Sequence, residues 1–447
     1  MRFADLLVKE VDLQKDRILS VILEPEERCE FYRQLLSRRW LPLPSEKTFA
    51  ENRVYAIDSS DGVIELAGGG IIHVARSMAL SNKCGDEMKT IRKLELDAFY
   101  PPSDEKLSEY RKLVREHLEH LAALEASEKL GKGDFILIDG SIFGRMNHIF
   151  QTLDVAGKED FMLSYIETFH NLFHTCMKKN ITLVGVAKDS RSTILRESLL
   201  AELLLEKTRK HDVELQMEIM SILQSLRRNP RQAPETIREI ARKVSDDICI
   251  ILRELVDNTP DYKIIMASKM EPGYSHPLKL ELQNVPSGFV ESLFAPDRRS
   301  ELVRNFIASL PQEKASTSTE KVVYETLEHI AMYPAVASLY VRFAKNDIPL
   351  RIDIVHPDVE GWSLEEAGLG GKYVRFALAR WESIVHTVLG LLNDLYAGLK
   401  SYNVLLASVD KYVRMTQKTK DLYKAKIESL LGVLIQQSRG VRRVSFP

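Results

Sequence analysis

Three apolar runs of the sequence end in ionisable residues: Asp58 in AIDSSDG, Asp139 in LIDGS and Lys188 in GVAKDS. Loops at the carboxyl ends of buried strands hold ligands in α/β proteins, so these residues could share one active-site edge. Two carboxylates there would repel each other unless a cation lay between them, and such oxygen ligands suit Mg²⁺ or Mn²⁺. Together they predict a metal site for phosphodiester hydrolysis, although an aspartate after a strand, taken alone, is more often a turn residue.

The elements that would position these residues alternate between strands and helices. The VYAID strand is expected to stop at Ser59–Gly62, because these are turn-forming residues. Ser103 is a plausible N-cap for a long amphipathic helix. The predicted elements are a strand at 54–58, one or two strands in GGGIIHVARSMAL, a helix at 103–130, a strand at 134–141, a helix at about 159–178 and a strand at 181–190. This alternation predicts an α/β fold.

Residues 192–258 lack strand signals and are predicted to be mainly helical, and the chain from about residue 378 onward is also predicted to be helical. Strands are expected at 263–267, 338–345 and 349–355, the last two forming a hairpin across Asn346 and Asp347. The predicted organisation is an N-terminal helical arm (1–50), a first core segment (51–191), a helical insertion (192–258), a second core segment (259–420) and a basic C-terminal tail (421–447).

Composition excludes several classes of protein. The chain has 447 residues, 62 Lys plus Arg against 64 Asp plus Glu, and 45% hydrophobic residues, which is typical of a globular protein of two or three units. Cys29, Cys84, Cys176 and Cys249 lie far apart without a CxxC pair, so neither a zinc site nor a disulfide framework is expected. No run is apolar enough to span a bilayer, and no signal peptide is recognisable, so we expect a cytoplasmic protein without a membrane partner.

The order of these motifs resembles the NurA family of archaeal and bacterial DNA-end nucleases, which work with the hexameric translocase HerA. The resemblance is carried by AIDSSDG where the family has an IDGS-like motif, by LIDGS at 137–141, by GVAKDS for GVxKxS, and by SYNVLLASVDKYVRM near the C-terminus. It covers residues from about 50 to about 415. It implies an RNase H-like core with a mixed sheet, together with the helical insertion and helical N- and C-terminal segments.

The same resemblance implies a set of site residues. Asp58 and Asp139 match the family's metal-binding aspartates, and Glu119 in LEHLAALEAS matches a helical glutamate that joins them, whereas Glu125 points elsewhere. Lys188 matches a lysine that could hold a phosphate or order an acidic ligand. The remaining implied positions are Tyr402 and Asp410, the second of which is often histidine in archaeal members. Asp58, Glu119, Asp139 and Asp410 are the expected ligands of Mn²⁺ or Mg²⁺.

Some positions depart from the family pattern. Ser59 replaces the glycine of the first IDGS, where it would strain a turn built for glycine. Ser401 and Asn403 replace a glycine and a proline around Tyr402. A rival assignment is Tyr333, which precedes a proline, but the residue eight positions later is a valine, which can neither bind a metal nor carry a proton. The strands after Tyr333 match instead an exposed-edge hairpin of the family, with Arg351 and Asp353 in its second arm.

The implied function is metal-dependent cleavage of DNA ends, single-stranded and also duplex, in homologous recombination. The implied partners are DNA, a HerA-like translocase and a second copy of the chain. A non-catalytic RNase H-like DNA-binding or translocase-stimulating subunit and an unrelated phosphohydrolase stay open as alternatives.

Other candidate features are a His170/His174 pair at helical spacing, the partner-docking potential of the tail, and basic clusters for DNA at Arg227/Arg228/Arg231, Arg298/Arg299 and Arg439/Arg442/Arg443.

Overall fold

The computed structural model describes residues 2–45, 52–83, 90–150, 153, 155, 157–209, 213–228, 237, 239–284, 288–309, 317–365 and 375–438. One mixed β-sheet runs through the described residues. Its strands are β1 Trp40–Leu41, β2 Val54–Glu65, β3 Ile71–Ser81, β4 Ile91–Phe99, β5 Phe135–Asp139, β6 Thr182–Ala187, β7 Gly273–Ser275, β8 Leu278–Leu280, β9 Val336–Arg342, β10 Leu350–Val355, β11 Ser363–Leu364 and β12 Arg375–Ala379.

Helices cover both faces of this sheet. In chain order they are α1 Phe3–Leu13, α2 Lys15–Ile22, α3 Glu26–Ser37, α4 Asp104–Glu128, α5 Ile142–Met146, α6 Phe161–Lys179, α7 Ile194–Thr208, α8 Val213–Arg228, α9 Asp246–Val256, α10 Asp261–Ala267, α11 Gly288–Leu293, α12 Pro296–Ser309, α13 Thr317–Ala331, α14 Pro357–Glu360, α15 Glu382–Asp394, α16 Val404–Val413 and α17 Gln417–Leu431. Within the described ranges, no helix has the length and apolar character needed to cross a bilayer.

The sheet has the order β11-β12-β8-β9-β10-β6-β5-β2-β3-β4. β2, β3 and β4 are antiparallel neighbours, whereas β2, β5 and β6 are parallel and are connected through α4 and α6. Three antiparallel strands followed by two helix-connected parallel strands are the arrangement of an RNase H-like core. The expected α/β class, the mixed sheet and the RNase H-like core are therefore confirmed.

The sheet separates two apolar cores, and the alternation of side chains along a strand decides which core each residue faces. Tyr55 and Ile57 of β2 pack with α4 and α6 in the first core. Val54 and Ala56 pack with α15 and α16 in the second. By the same alternation, Asp58 lies on the second face and Ser59 on the first.

The helical segments outside the alternating core differ in how they pack. None of the side chains that the structure describes in α1 and α2 is buried, whereas α3 buries Tyr32 and Leu36 in the first core. In the 192–258 segment, Leu199 and Leu200 of α7 belong to the same core. The helix α17 occupies the start of the predicted basic tail, and residues 439–447 lie outside the described ranges.

The predicted C-terminal end of the first strand is wrong. β2 does not stop at Ser59–Gly62 but continues to Glu65, paired with β3 at every position from Tyr55. Its polar residues have partners in the fold and do not form a turn: Ser59 donates to Glu119, and Ser60 accepts from the backbone of Met415. Ser59 is therefore in extended backbone, and the strain expected from replacing a glycine does not arise there.

Two further predictions about strands are wrong. Residues 263–267 lie in α10, which Pro260 and Asp261 begin, because a short apolar run has no period that separates a strand from a helix. The second arm of the 338–355 hairpin is not an exposed edge. β10 lies between β9 and β6, and both Arg351 and Asp353 are buried. The strand β4 has no counterpart among the predicted elements.

Candidate active site

The strand register brings the two predicted aspartates to one level of the sheet. Ile57 of β2 pairs with Ile138 of the parallel strand β5, so Asp58 and Asp139 are the next residues on neighbouring strands. β5 ends at Asp139, where the chain turns away through Gly140. The two aspartates lie on the same face because paired residues of parallel strands project in the same direction.

Lys188 joins this pair from the next strand. Asp139 pairs with Val186 of β6, and Lys188 follows two residues later on the same face. Its Nζ lies 2.8 Å from Asp139 Oδ2 and 4.5 Å from the centre of the Tyr402 ring. Burial alone would lower the pKa of Lys188, but the charge of Asp139 and contact with Tyr402 raise it above its ordinary value, so the ammonium group is retained.

Asp58 is a carboxyl group that the protein holds in an unfavourable electrostatic environment. Burial, followed by the charges of Glu119 and Asp139, raises its pKa to about 8. A hydrogen bond of 2.7 Å from its neighbour, the backbone N–H of Ser59, opposes this shift only in part. A positive charge placed among these three carboxylates would reverse the shift and stabilise the ionised form.

Glu119 reaches the site from the helix on the other face of the sheet. It is buried on α4, where its carboxylate accepts hydrogen bonds from Ser59 Oγ and from Arg145 Nη2. Arg145 also donates to the backbone oxygen of Asp139 at 2.8 Å. Burial raises the pKa of Glu119, against the lowering effects of Arg145 and Ser59. Glu125 instead pairs with Lys93, away from the site.

The two C-terminal candidates lie beside the same cluster. Burial and the charge of Asp139 raise the pKa of Tyr402, so its phenol stays protonated and can donate a hydrogen bond. Asp410, on α16, is partly exposed and pairs with Arg414 at 2.5 Å. Its charge is also one of those that raise the pKa of Asp58. Contacts or charge interactions therefore link all six predicted site residues around Asp58 and Asp139.

The donor set fits a hard divalent cation. Within the ranges that the structure describes, no group of three or more Asp, Glu, His or Cys side chains is arranged to hold a metal ion by itself. Magnesium-type sites, however, are commonly built from one or two carboxylates, with water and substrate phosphates completing the coordination. Asp58 and Asp139 supply such oxygen atoms, and the pKa of Asp58 is raised first by burial and then by the negative charges of Glu119 and Asp139. These two residues would hold the ion.

Glycines explain two of the sequence motifs. Gly140 in LIDGS has a φ of 115°, a conformation that residues with a side chain rarely adopt. Gly185 in GVAKDS lies against the Gly140 carbonyl oxygen, which an added Cβ would approach to 2.6 Å. The two glycines allow β5 and β6 to pack closely where Asp139 and Lys188 emerge. Around Tyr402, Asn403 is the N-cap of α16, with its side chain accepting from the backbone of Leu405 and Leu406.

Sequence reasoning missed two residues that organise the site. Arg145 is buried and neutralises Glu119, and its position as a charged residue in the apolar run after LIDGS was the available signal. Asp353 accepts hydrogen bonds from Ser141 Oγ at 2.5 Å and from the backbone N–H of Phe143 at 3.1 Å. It therefore holds the loop that follows Asp139. No signal in the sequence relates it to a loop more than two hundred residues earlier.

The rival candidates lie elsewhere. The Tyr333 hydroxyl donates to the backbone oxygen of Ile166 inside the first core. His170 stacks on His329 with ring centres 4.1 Å apart, and the described residues include no metal-binding group that contains it. The side chains of Arg227 and Arg228 and all of the tail cluster lie outside the described residues, whereas Arg299 pairs with Glu328.

Comparisons with known proteins bear on the family and the fold of the chain. The family model described as the NurA domain matches residues 52–415. The crystal structure of the NurA nuclease from Sulfolobus solfataricus is similar at a TM-score of 0.51 and 14% identity, covering 96% of each chain, which shows a shared fold. A crystal structure of NurA with manganese has a TM-score of 0.40 at 16% identity, covering 94% of this chain and 98% of that one. No curated protein matches the chain.

Proposed function

Because the chain belongs to the NurA family, we propose that it is a metal-dependent nuclease that hydrolyses DNA phosphodiester bonds. The observation that carries this proposal is the convergence of Asp58, Glu119 and Asp139, where burial, followed by the charges of Glu119 and Asp139, raises the pKa of Asp58 to about 8. A fold gains nothing in stability from placing three carboxylates together, so such a cluster is typical of a functional site. The oxygen ligands favour Mn²⁺ or Mg²⁺ as the cofactor.

The residues of the chain have distinct proposed roles. Asp58 and Asp139 hold the divalent ion, which when bound supplies Lewis acidity to phosphoryl oxygen and an activated water. Lys188 carries a positive charge that can stabilise the phosphate as negative charge develops on it. The protonated Tyr402 can donate a hydrogen bond to an oxygen of the same phosphate. Arg145 fixes Glu119 and the backbone of Asp139 relative to each other.

The finer features of the proposal rest on membership of the family. We propose that the substrate is a DNA end, single-stranded or duplex, that the protein acts as a homodimer in the cytoplasm, and that a HerA-like translocase feeds it DNA during recombinational repair. In this arrangement Asp410 assists as a fourth acidic group. Its ion pair with Arg414 is half exposed, so Asp410 can leave that partner at little cost.

The direct test is incubation of end-labelled single-stranded and duplex DNA with the purified protein in Mn²⁺, Mg²⁺ or EDTA. We expect shortened products with either ion and none in EDTA. Intact DNA under all metal conditions, from a protein that is folded by circular dichroism, would refute the nuclease assignment. A chromogenic phosphate monoester distinguishes the remaining phosphohydrolase alternative, because its hydrolysis without DNA cleavage would indicate a small-molecule enzyme.

One observation favours the alternative of a non-catalytic subunit. Glu119 and Asp139 already have cationic partners from the chain itself, Arg145 and Lys188. Two of the three carboxylates are thus neutralised before any ion binds. If the protein binds DNA and stimulates a HerA-like ATPase, yet leaves DNA intact in Mn²⁺, this alternative replaces the nuclease.

A further inference from the structure

Two arginines lie beside the active-site cluster in a position that the proposed catalytic chemistry does not use. Arg111, Arg115 and Glu119 are spaced four residues apart on α4, so they occupy one face of the helix at steps of about 6 Å. Glu119 belongs to the acidic cluster, and the two arginines extend from it along the helix. Their side chains are 38% and 42% exposed.

Both arginines form an ion pair with one buried carboxylate, and Arg111 is also hydrogen-bonded to it. The Nε of Arg111 donates to Asp61 Oδ2 at 2.5 Å, and the Nε of Arg115 lies 3.4 Å from Asp61 Oδ1. His73 Nε2 lies 3.1 Å from the same carboxylate. Burial alone would raise the pKa of Asp61, but two hydrogen bonds and two guanidinium charges lower it to about 2, so this anion persists at every working pH.

Asp61, Arg111 and Arg115 together carry one negative charge and two positive charges. One carboxylate is shared between two guanidinium groups, whose Nε atoms face Asp61. Within the described ranges, no other ion pair is formed by either arginine. No hydrogen bond from an Nη atom of either arginine is found within the described ranges, so these donors can bind an anion. A guanidinium held in one orientation loses little entropy when it binds the oxygens of a phosphate.

The end of β5 leaves one edge of β2 without a strand partner among the described residues. β5 pairs with β2 only as far as Ile57. Within the described ranges, residues 59–64 of β2 pair with β3 on one edge and with no strand on the other. The arginine pair lies over this part of β2, because Asp61 is in its middle. Asp58 and Asp61 lie on opposite faces of β2, so a nucleic-acid strand whose scissile phosphate lay at Asp58 would have to pass the unpaired edge of β2 beyond Ile57 to reach Arg115 and then Arg111 on the α4 side.

We propose that Arg111 and Arg115 form a subsite for the DNA backbone, binding phosphates that flank the one to be cleaved, with Asp61 as the residue that positions both. This rests on the proposed nuclease function, but the binding can be measured separately. Contacts to phosphates carry no sequence information, so the subsite would act equally on every sequence.

The test is fluorescence anisotropy of labelled single-stranded oligonucleotides in EDTA, where no cleavage occurs. Arg111→Ala and Arg115→Ala should each weaken binding by about 5- to 10-fold, equally for oligo-dT and oligo-dA. The slope of log affinity against log salt should fall by about 0.7 for each arginine that is replaced. Arg38→Ala removes an arginine that is 61% exposed and pairs with Glu206, and this matched control should keep wild-type affinity and slope.

Wild-type affinity and salt slope in both single variants would overturn the subsite. An equal loss of affinity in Arg38→Ala would also overturn the subsite. So would a thermal melt of the same sample showing that the variants lose affinity because they are unfolded. Arg115→Lys, which retains the charge, should restore part of the affinity. If the wild type binds DNA through these residues but never cuts it, the nuclease function fails and the subsite stands. If it cuts DNA and the variants bind normally, only the subsite fails.

Discussion

Lys188 Nζ lies 2.8 Å from Asp139 Oδ2, and this ion pair joins the carboxyl ends of two neighbouring parallel strands. Asp139 is thereby compensated, as Glu119 is by Arg145. Of the three clustered carboxylates, Asp58, Glu119 and Asp139, only Asp58 forms no ion pair within the part of the chain that the structure describes. Before a metal binds, Glu119 and Asp139 therefore each have a positively charged partner, whereas Asp58 has none among the described residues.

Loss of Lys188 should impair the reaction more than the fold. In Lys188→Met, Asp139 loses its partner and the phosphate loses a positive charge, so we expect cleavage to slow by about 10²-fold, a typical effect of removing one electrostatic contact. Lys188→Arg should recover part of the rate. Single-turnover cleavage of labelled DNA measures both variants. Equal rates for wild type and Lys188→Met would remove this residue from the mechanism.

Asp58→Asn should abolish cleavage while leaving DNA binding in EDTA intact, because the amide cannot replace an ionised ligand. It should also make stability less dependent on pH. The pKa of Asp58 is raised from an ordinary 3.8 to about 8, so its contribution to stability is complete below pH 4 and is lost as pH rises to 8. Metal-free wild type should lose stability over that range, whereas Asp58→Asn should lose less. Urea denaturation at several pH values measures how the stability of the wild type and of Asp58→Asn depends on pH.

Binding of Mn²⁺ should release a proton below pH 8. The ion requires the ionised form of Asp58, so its apparent affinity should rise by up to about tenfold per pH unit below the pKa of about 8 and level off above it. Titration calorimetry in two buffers of different ionisation enthalpy measures the released proton. A pH-independent affinity would show that Asp58 is not a ligand. Asp410→Asn is the comparison variant, and it should retain the pH dependence.

The two tyrosine candidates can be separated by a matched pair of substitutions. Tyr402→Phe keeps the ring under Lys188 but removes the hydroxyl group, so we expect slower cleavage with little change in stability. Tyr333→Phe removes a buried hydrogen bond to Ile166 and should cost about 1 kcal/mol of unfolding free energy without affecting cleavage. Normal cleavage by Tyr402→Phe together with impaired cleavage by Tyr333→Phe would reverse the assignment.

Asp353 should prove important for stability as well as for the loop after Asp139. It is fully buried and also accepts a hydrogen bond from Arg351 Nε at 3.0 Å. Asp353→Ala leaves that guanidinium buried without its ion-pair partner, which should cost about 3–5 kcal/mol. Ser141→Ala removes one donor to Asp353 and the N-cap acceptor for the backbone of Gly144, and should cost about 1–2 kcal/mol. Guanidinium chloride denaturation measures both, and similar costs would contradict a central role for the Asp353 charge.

The sequence alone determined the parts of this protein that depend on local patterning. Apolar runs fix β5 and β6, and the period of α4 with its Ser103 cap fixes the helix that carries Glu119. The order of short motifs was sufficient to identify the family and to nominate six candidate site residues. Local pattern was insufficient where an element is short, which is why α10 was expected to be a strand.

Tertiary structure decided what depends on contacts between distant segments. β2 continues through Ser59–Gly62 because α4 and the chain around Met415 supply partners for polar residues that would otherwise form a turn. The pairing of Arg145 with Glu119, of Asp353 with the loop after Asp139, and of Arg111 and Arg115 with Asp61 has no signature in the sequence. The physical reason is that burial and charge are properties of a three-dimensional neighbourhood. A sequence specifies which groups are present, whereas only the fold determines which charges share a low-dielectric space.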